Sequence, residues 1–134
     1  MPYAIVQYVT AAYGGVPAST YFDDSIVSSN GSSTLTPTAG NTLLAVAMFF
    51  NGTDRTVTWS DSLGGNDGWT SIGELYHAGS STQMAAAVLH NAAATSTRVR
   101  MDTGVSSSIE YPAMVVIEIS GLENAAALDW KMAF

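Results

Sequence analysis

The chain reads as an all-β fold, an antiparallel β-sandwich of jelly-roll-like form with about eight strands. Apolar or β-branched runs of about five to ten residues alternate with clusters of Gly, Asn, Ser and Pro, the spacing of a sandwich or barrel. In Arg98-Val99-Arg100-Met101-Asp102 the period is strictly two, so Val99 and Met101 face inward and Arg98, Arg100 and Asp102 face outward. Leu43 to Phe50 and Ala113 to Ile119 are apolar at almost every position and too short between their turn signals for typical helices.

Taken in order, strands are expected over Ala4 to Thr10, Thr20 to Val27, Thr42 to Phe50, Arg55 to Ser60, Thr70 to His77, Thr82 to His90, Ser96 to Asp102 and Ile109 to Ile119. Helix competes for the alanine-rich run Met84 to Leu89, but bracketing turns and short length favour a strand. Asn51-Gly52 supplies the positive backbone angles of a tight turn, and Ser62 to Gly68 is a glycine-rich loop. Ser28 to Thr38 is polar and is expected to be the longest mobile connection. The continuous apolar strands imply a sheet covered on both faces, the outer one in part by a neighbouring subunit. The whole, 1–134, is expected to be one domain, with 123–134 either a C-terminal arm or the last edge strand.

Composition narrows the function. With 134 residues the chain can bury one core without metal or disulfide support, and it contains no cysteine. Four basic residues, Arg55, Arg98, Arg100 and Lys131, stand against eleven acidic ones, a formal charge of −7. A nucleic-acid partner would need a basic footprint, so none is expected. Only 11% of the residues are charged while 47% are hydrophobic, so much of the exterior must be uncharged, as suits packing against other protein. No signal-peptide pattern opens the sequence, and no run reaches the length of a membrane helix, so neither secretion by that route nor a membrane partner is expected.

Candidate chemistry is sparse. His77 and His90 fall at strand ends without ligand spacing. No G-x-S-x-G elbow supports a serine nucleophile, and no catalytic residue, metal site or cofactor is expected. Asp61, Asn66 and Asp67 are the best candidates for calcium, yet these residue types are also favoured in turns for local hydrogen bonds, which is the reading preferred here. Asp23-Asp24 reads as an exposed pair. Glu118, inside an apolar strand, needs a partner: Arg98 or Arg100 on a neighbouring strand, or a subunit interface. Trp59, Trp69 and Trp130 with Tyr13, Tyr21, Tyr76 and Tyr111 could build a sugar-stacking platform, although Trp59 in register with Val57 points to the core and Trp69 to a hairpin cap.

Two groups of residues are expected to bind protein partners. Arg98 and Arg100 carry half of the basic charge on one outward face, a match for an acidic partner surface. Leu128, Trp130, Met132 and Phe134 alternate with Asp129, Lys131 and Ala133, and such an apolar stripe needs cover, from a neighbour if the segment is an arm or from its own sandwich if it is an edge strand.

Three stretches follow one order: Thr38-Ala39-Gly40-Asn41-Thr42-Leu43-Leu44-Ala45-Val46; Thr58-Trp59-Ser60-Asp61-Ser62 leading to Gly68-Trp69-Thr70; and Val115 to Leu122 with Glu118, Ser120 and Gly121. Together with Ala127-Leu128-Asp129 this pattern resembles a β-sandwich module of phage virion proteins and bacterial surface proteins. Such modules often continue with further strands beyond the last of these stretches. The resemblance implies a non-enzymatic virion structural protein, closest in kind to a capsid decoration or cement protein. Its implied partners are the major capsid protein and copies of itself in a homotrimer, on the capsid exterior after assembly in the host cytoplasm. The alternative is a carbohydrate-binding or adhesion module on a phage or cell surface.

Overall fold

A computed structural model describes residues 3–14, 21–22, 34–105 and 109–122. Every regular element in them is a strand: β1 (Ala4–Ala12), β2 (Tyr21–Phe22), β3 (Thr42–Phe50), β4 (Thr58–Asp61), β5 (Thr70–His77), β6 (Thr82–Leu89), β7 (Val99–Asp102) and β8 (Glu110–Ser120). The alanine-rich run is a strand, β6, and β3 and β5 begin and end where the turn signals place them.

The connectivity is that of a long hairpin rolled up. β1 pairs with β8, β2 with β7 and β3 with β6, all antiparallel, as the two arms of such a hairpin would. Rolling then brings β8 against β3 and β7 against β4. The result is a five-stranded sheet in the order β1-β8-β3-β6-β5 and a three-stranded sheet in the order β2-β7-β4. This is jelly-roll wrapping, with β5 joined to the larger sheet through its hairpin with β6.

The core lies between the sheets. From the larger sheet it takes Leu43, Ala45, Ala47 and Phe49 of β3, Ala85 and Leu89 of β6, and Met114 and Val116 of β8. From the smaller sheet and its flanks come Phe22, Val57, Val99 and Met101. Val99 and Met101 are buried and Arg98, Arg100 and Asp102 only half-buried, as the period of two predicts. Trp59, opposite Met101, and Trp69 pack against this core while staying partly exposed.

Two expectations change. Strands β3 and β8 bury their inner face, whereas outward Leu44, Val46, Val115 and Ile117 are half-buried and Met48 and Phe50 exposed, so among the described residues the outer face is only partly covered. The connection before β3 is anchored where it is described, because Leu35 bridges Thr97 with N–H···O distances of 3.0 and 2.8 Å and is itself buried. Residues 28–33, Asp23-Asp24 and the 123–134 segment with Leu128, Trp130, Met132 and Phe134 lie outside the described residues, so the choice between arm and edge strand does too.

Candidate functional site

The residues that could carry chemistry are occupied in holding turns. Glu118 is fully buried, and it sits opposite Gln7 on β1 and Leu43 on β3. One carboxylate oxygen accepts from the Thr38 backbone N–H at 2.8 Å and the Asn41 side chain at 2.6 Å, and the other accepts from the Gln7 amide. Its partners are therefore neutral donors. The expected ion pair with Arg98 or Arg100 does not form the clasp, because β8 belongs to the five-stranded sheet and β7 to the other. Burial by itself pushes the Glu118 carboxyl up, but the hydrogen bonds from Gln7, Thr38 and Asn41 together outweigh it and hold the group below its ordinary value of 4.5. The Thr38-to-Asn41 turn, with Gly40 at φ +87°, and the Glu118 strand end are thus two ends of one clasp.

The loop after β4 is a second clasp. The buried Asp61 carboxylate accepts from four backbone N–H groups, those of Leu63 (2.9 Å), Gly65 (3.0 Å), Asn66 (2.9 Å) and Arg98 (2.9 Å). Asn66 donates to the Ala93 carbonyl and to Thr95 and Thr97, and accepts from the Ala93 N–H. Trp69 Nε1–H closes the loop on the Asn66 carbonyl at 2.9 Å. The oxygens that a calcium ion would need on Asp61 are already used by N–H donors. At the far end of the sandwich, fully buried Gln83 accepts from Asn51 and from the Arg55 N–H and donates to the Arg55 carbonyl, fixing the chain before β4. The histidines serve locally too: His77 Nδ1 lies 2.9 Å from Ser80 Oγ, and His90 Nδ1 lies 3.2 Å from Thr42 Oγ1.

What remains is a surface. Residues directly paired across an antiparallel sheet share a face, so register defines the outer side of the five-stranded sheet. Ile5 and Tyr8 on β1 stand opposite Ile119 and Ile117 on β8, Val46 on β3 stands opposite Val115, and Met48 stands between Ala113 and Met84. Among the outward positions on β1, β8, β3 and β6 in this register the one charged residue is Glu110, at the strand end opposite Phe50. Several are open: Ile5 and Tyr8 are 67% exposed, Met48 43% and Met84 39%. A single apolar side chain on a surface is ordinary, whereas a contiguous face of this kind marks an interaction site.

The face has relief. A shallow depression of about 340 Å³ lies over β1, β8 and β3, bordered by Thr10, Val46, Met48 and Val115, with small Ala12 and Ala113 between them. A second, of about 440 Å³, adjoins it at the strand ends, lined by Phe50, Asn51, Gly52, Ser81, Glu110 and Tyr111. There the pairing of β3 with β8 slips between Met48 and Phe50, and Tyr111, immediately before Pro112, takes φ +47°. The Phe50 and Tyr111 rings meet edge to face, 6.3 Å apart at 86°.

Of the residues predicted from sequence to bind partners, Arg98 and Arg100 lie on the outer side of the three-stranded sheet, across the sandwich from the apolar face. Trp130, Met132 and Phe134 are outside the described residues. The sequence signal for the apolar face was present in the uninterrupted runs of β3 and β8. The sequence pattern does not mark Ile5 and Tyr8, because only the pairing of their strand with β8 sets them on this face. No protein-family model, no curated protein and no solved structure matches the chain. The fold is that of an all-β sandwich, and the functional reading rests on the chemistry of these surfaces.

Proposed function

We propose that this protein is a non-enzymatic structural component of a bacteriophage virion, a capsid decoration or cement protein that binds the capsid surface and other copies of itself. The observation that carries the reading is the largely apolar outer face of the five-stranded sheet, charged only at Glu110 at the strand end, on a chain whose buried Asp61, Asn66, Gln83 and Glu118 hold turns and strand ends together. Such a division suits a protein that works by contact. Jelly-roll sandwiches recur in viral capsid and lectin domains, an analogy of fold that raises this reading without carrying it. Arg98 and Arg100, on the opposite side of the sandwich, supply a second contact for an acidic capsid surface, and Trp130, Met132 and Phe134 a third.

The test is the protein content of purified virions made from the genome that encodes the chain. The reading expects the chain at copy numbers comparable with the major capsid protein, retained through gradient purification. Its absence from the particles would overturn the reading.

A second reading, a carbohydrate-binding or adhesion module, is favoured by one feature, the depression where Phe50 and Tyr111 lie beside Asn51, Ser81 and Glu110. A stacked sugar needs an open ring face, whereas these two rings are set edge to face and the core takes Trp59 and Trp69. Specific signal on a glycan array, lost in Tyr111→Ala, would favour this reading over the virion one.

A further inference from the structure

We propose that the occupant of the apolar outer face is a second copy of the same chain, packed sheet on sheet about a two-fold axis, a pair in place of the homotrimer that the resemblance implies. The inference rests on the reading of the protein as one that assembles, and it assigns the self-contact to one side of the sandwich.

Charge argues first. A chain of formal charge −7 repels its own copies, and they can approach most closely where neither brings charge to the contact. The outward positions of β1, β8, β3 and β6 provide such a contact everywhere but at the strand end, where Glu110 stands opposite Phe50. A charged partner would find only Glu110 at the strand end to pair with, while an identical face stacked over the centre of the sheet leaves that carboxylate at the rim.

Size argues second. Five strands spaced about 4.8 Å apart, each roughly 30 Å long at about 3.4 Å per residue, present about 700 Å². Two such faces together bury about 1,400 Å², inside the range of roughly 1,200 to 2,000 Å² of stable, specific protein interfaces.

Shape argues third. A two-fold contact must be self-complementary, each copy offering both a projection and the hollow that receives it. Tyr8 and Met48 project from this face, and the shallow hollow at Ala12 and Ala113 lies on the same face. Sheets stacked about 10 Å apart with strands crossing at roughly 30° would seat one in the other.

The experiment is sedimentation velocity across a concentration series to about 100 µM, on the unaltered chain and on Met48→Lys/Met84→Lys. The two methionines are directly paired on β3 and β6 and already partly exposed, so lysines there place like charges at the contact without entering the core. The unaltered chain is expected to run at twice the monomer mass, and the double variant to be at least about 100-fold weaker in self-association with an unchanged circular dichroism spectrum. The absence of cysteine permits a second measurement that does not depend on the lysines: Met48→Cys should oxidise to a cross-linked dimer, whereas Thr58→Cys, exposed on the other sheet, should not.

A chain that stays monomeric throughout, an oligomer indifferent to both lysines, or cross-linking through Thr58→Cys in place of Met48→Cys would overturn the inference. The virion result separates it from the functional reading. A Met48-linked dimer absent from virions leaves this contact standing and removes the virion role, and a monomer found in virions does the reverse.

Discussion

Replacing Glu118 with glutamine preserves shape but turns one acceptor oxygen into a donor. That donor must then face either the Gln7 amide or the pair formed by the Thr38 N–H and Asn41, all of which donate. Glu118→Gln is expected to cost about 1 to 3 kcal/mol at neutral pH, read by denaturant unfolding. The pH dependence follows from the direction of the shift. A carboxyl held below its ordinary 4.5 in the folded state adds stability above that value, and the addition is lost as pH falls through the folded pKa. The gap between the unaltered chain and Glu118→Gln should therefore be full near pH 7 and close in acid. A gap constant from pH 7 to below pH 3 would contradict the clasp. Asp61 makes the same point more strongly, since Asp61→Ala strands four backbone donors at once. A loss of roughly 3 kcal/mol or more is expected. Chelator should leave the melting temperature of the unaltered chain unchanged, and a fall of several degrees restored by calcium would show that these oxygens serve a cation. At Gly65 an added methyl would lie 2.3 Å from Thr95 Oγ1, beside the hydrogen bond from Asn66 to Thr95. Gly65→Ala should cost about 1 to 3 kcal/mol by the same measurement, through displacement of Thr95.

At the scale of strands, the sequence was legible where a pattern and its turn signals coincide. β3 and β5 are bounded by Gly-Asn, Asn-Gly and glycine-rich turns and match their expected limits. β4 and β7 are shorter than their patterns, for a physical reason. Arg55 and Val57 give their N–H groups to the Gln83 and Glu74 side chains, and Thr97 and Arg98 bond to Leu35 and Asp61, so none of these is left for a ladder. Such side-chain competition comes from residues far away in sequence and cannot be read locally. Glu118 shows the same limit: its lone position in an apolar strand announced a buried partner, yet the partner is an amide 111 residues away and a turn N–H. The motifs behind the resemblance, Thr38 to Asn41, Asp61 to Trp69 and the Glu118 strand end, prove to be clasps of the sandwich. They speak to fold and are silent on partners. Arg98 and Arg100 are a separate matter: if they dock an acidic surface, Arg98→Ser/Arg100→Ser should weaken attachment to particles more than it lowers the melting temperature, and the difference should fade as salt rises. Equal loss of folding and attachment would return both side chains to a structural role.

The two sides of the sandwich differ in character: one outer face is largely apolar and the other carries Arg100 and Asp102. Alternation in β7 made the basic side visible in advance, because one polar stripe beside one apolar stripe has a single solution. The apolar side was visible only as an excess: strands too hydrophobic for a sheet with one wet face, which the sequence could assign to internal cover or to a neighbour alike. Pairing of β8 with both β1 and β3 gathers Ile5, Tyr8, Val46, Met48 and Ile117 onto one face, on which Ile5, Tyr8 and Met48 are exposed and Val46 and Ile117 half-buried. The account therefore stands on a claim about burial in the assembled state. A density map of virions produced from the genome encoding the chain tests it most directly. The account predicts the sandwich on the capsid exterior, with Tyr8, Met48 and Met84 covered by protein. A map in which the sandwich is present with that sheet face open to solvent, or is missing from the particle, would contradict it.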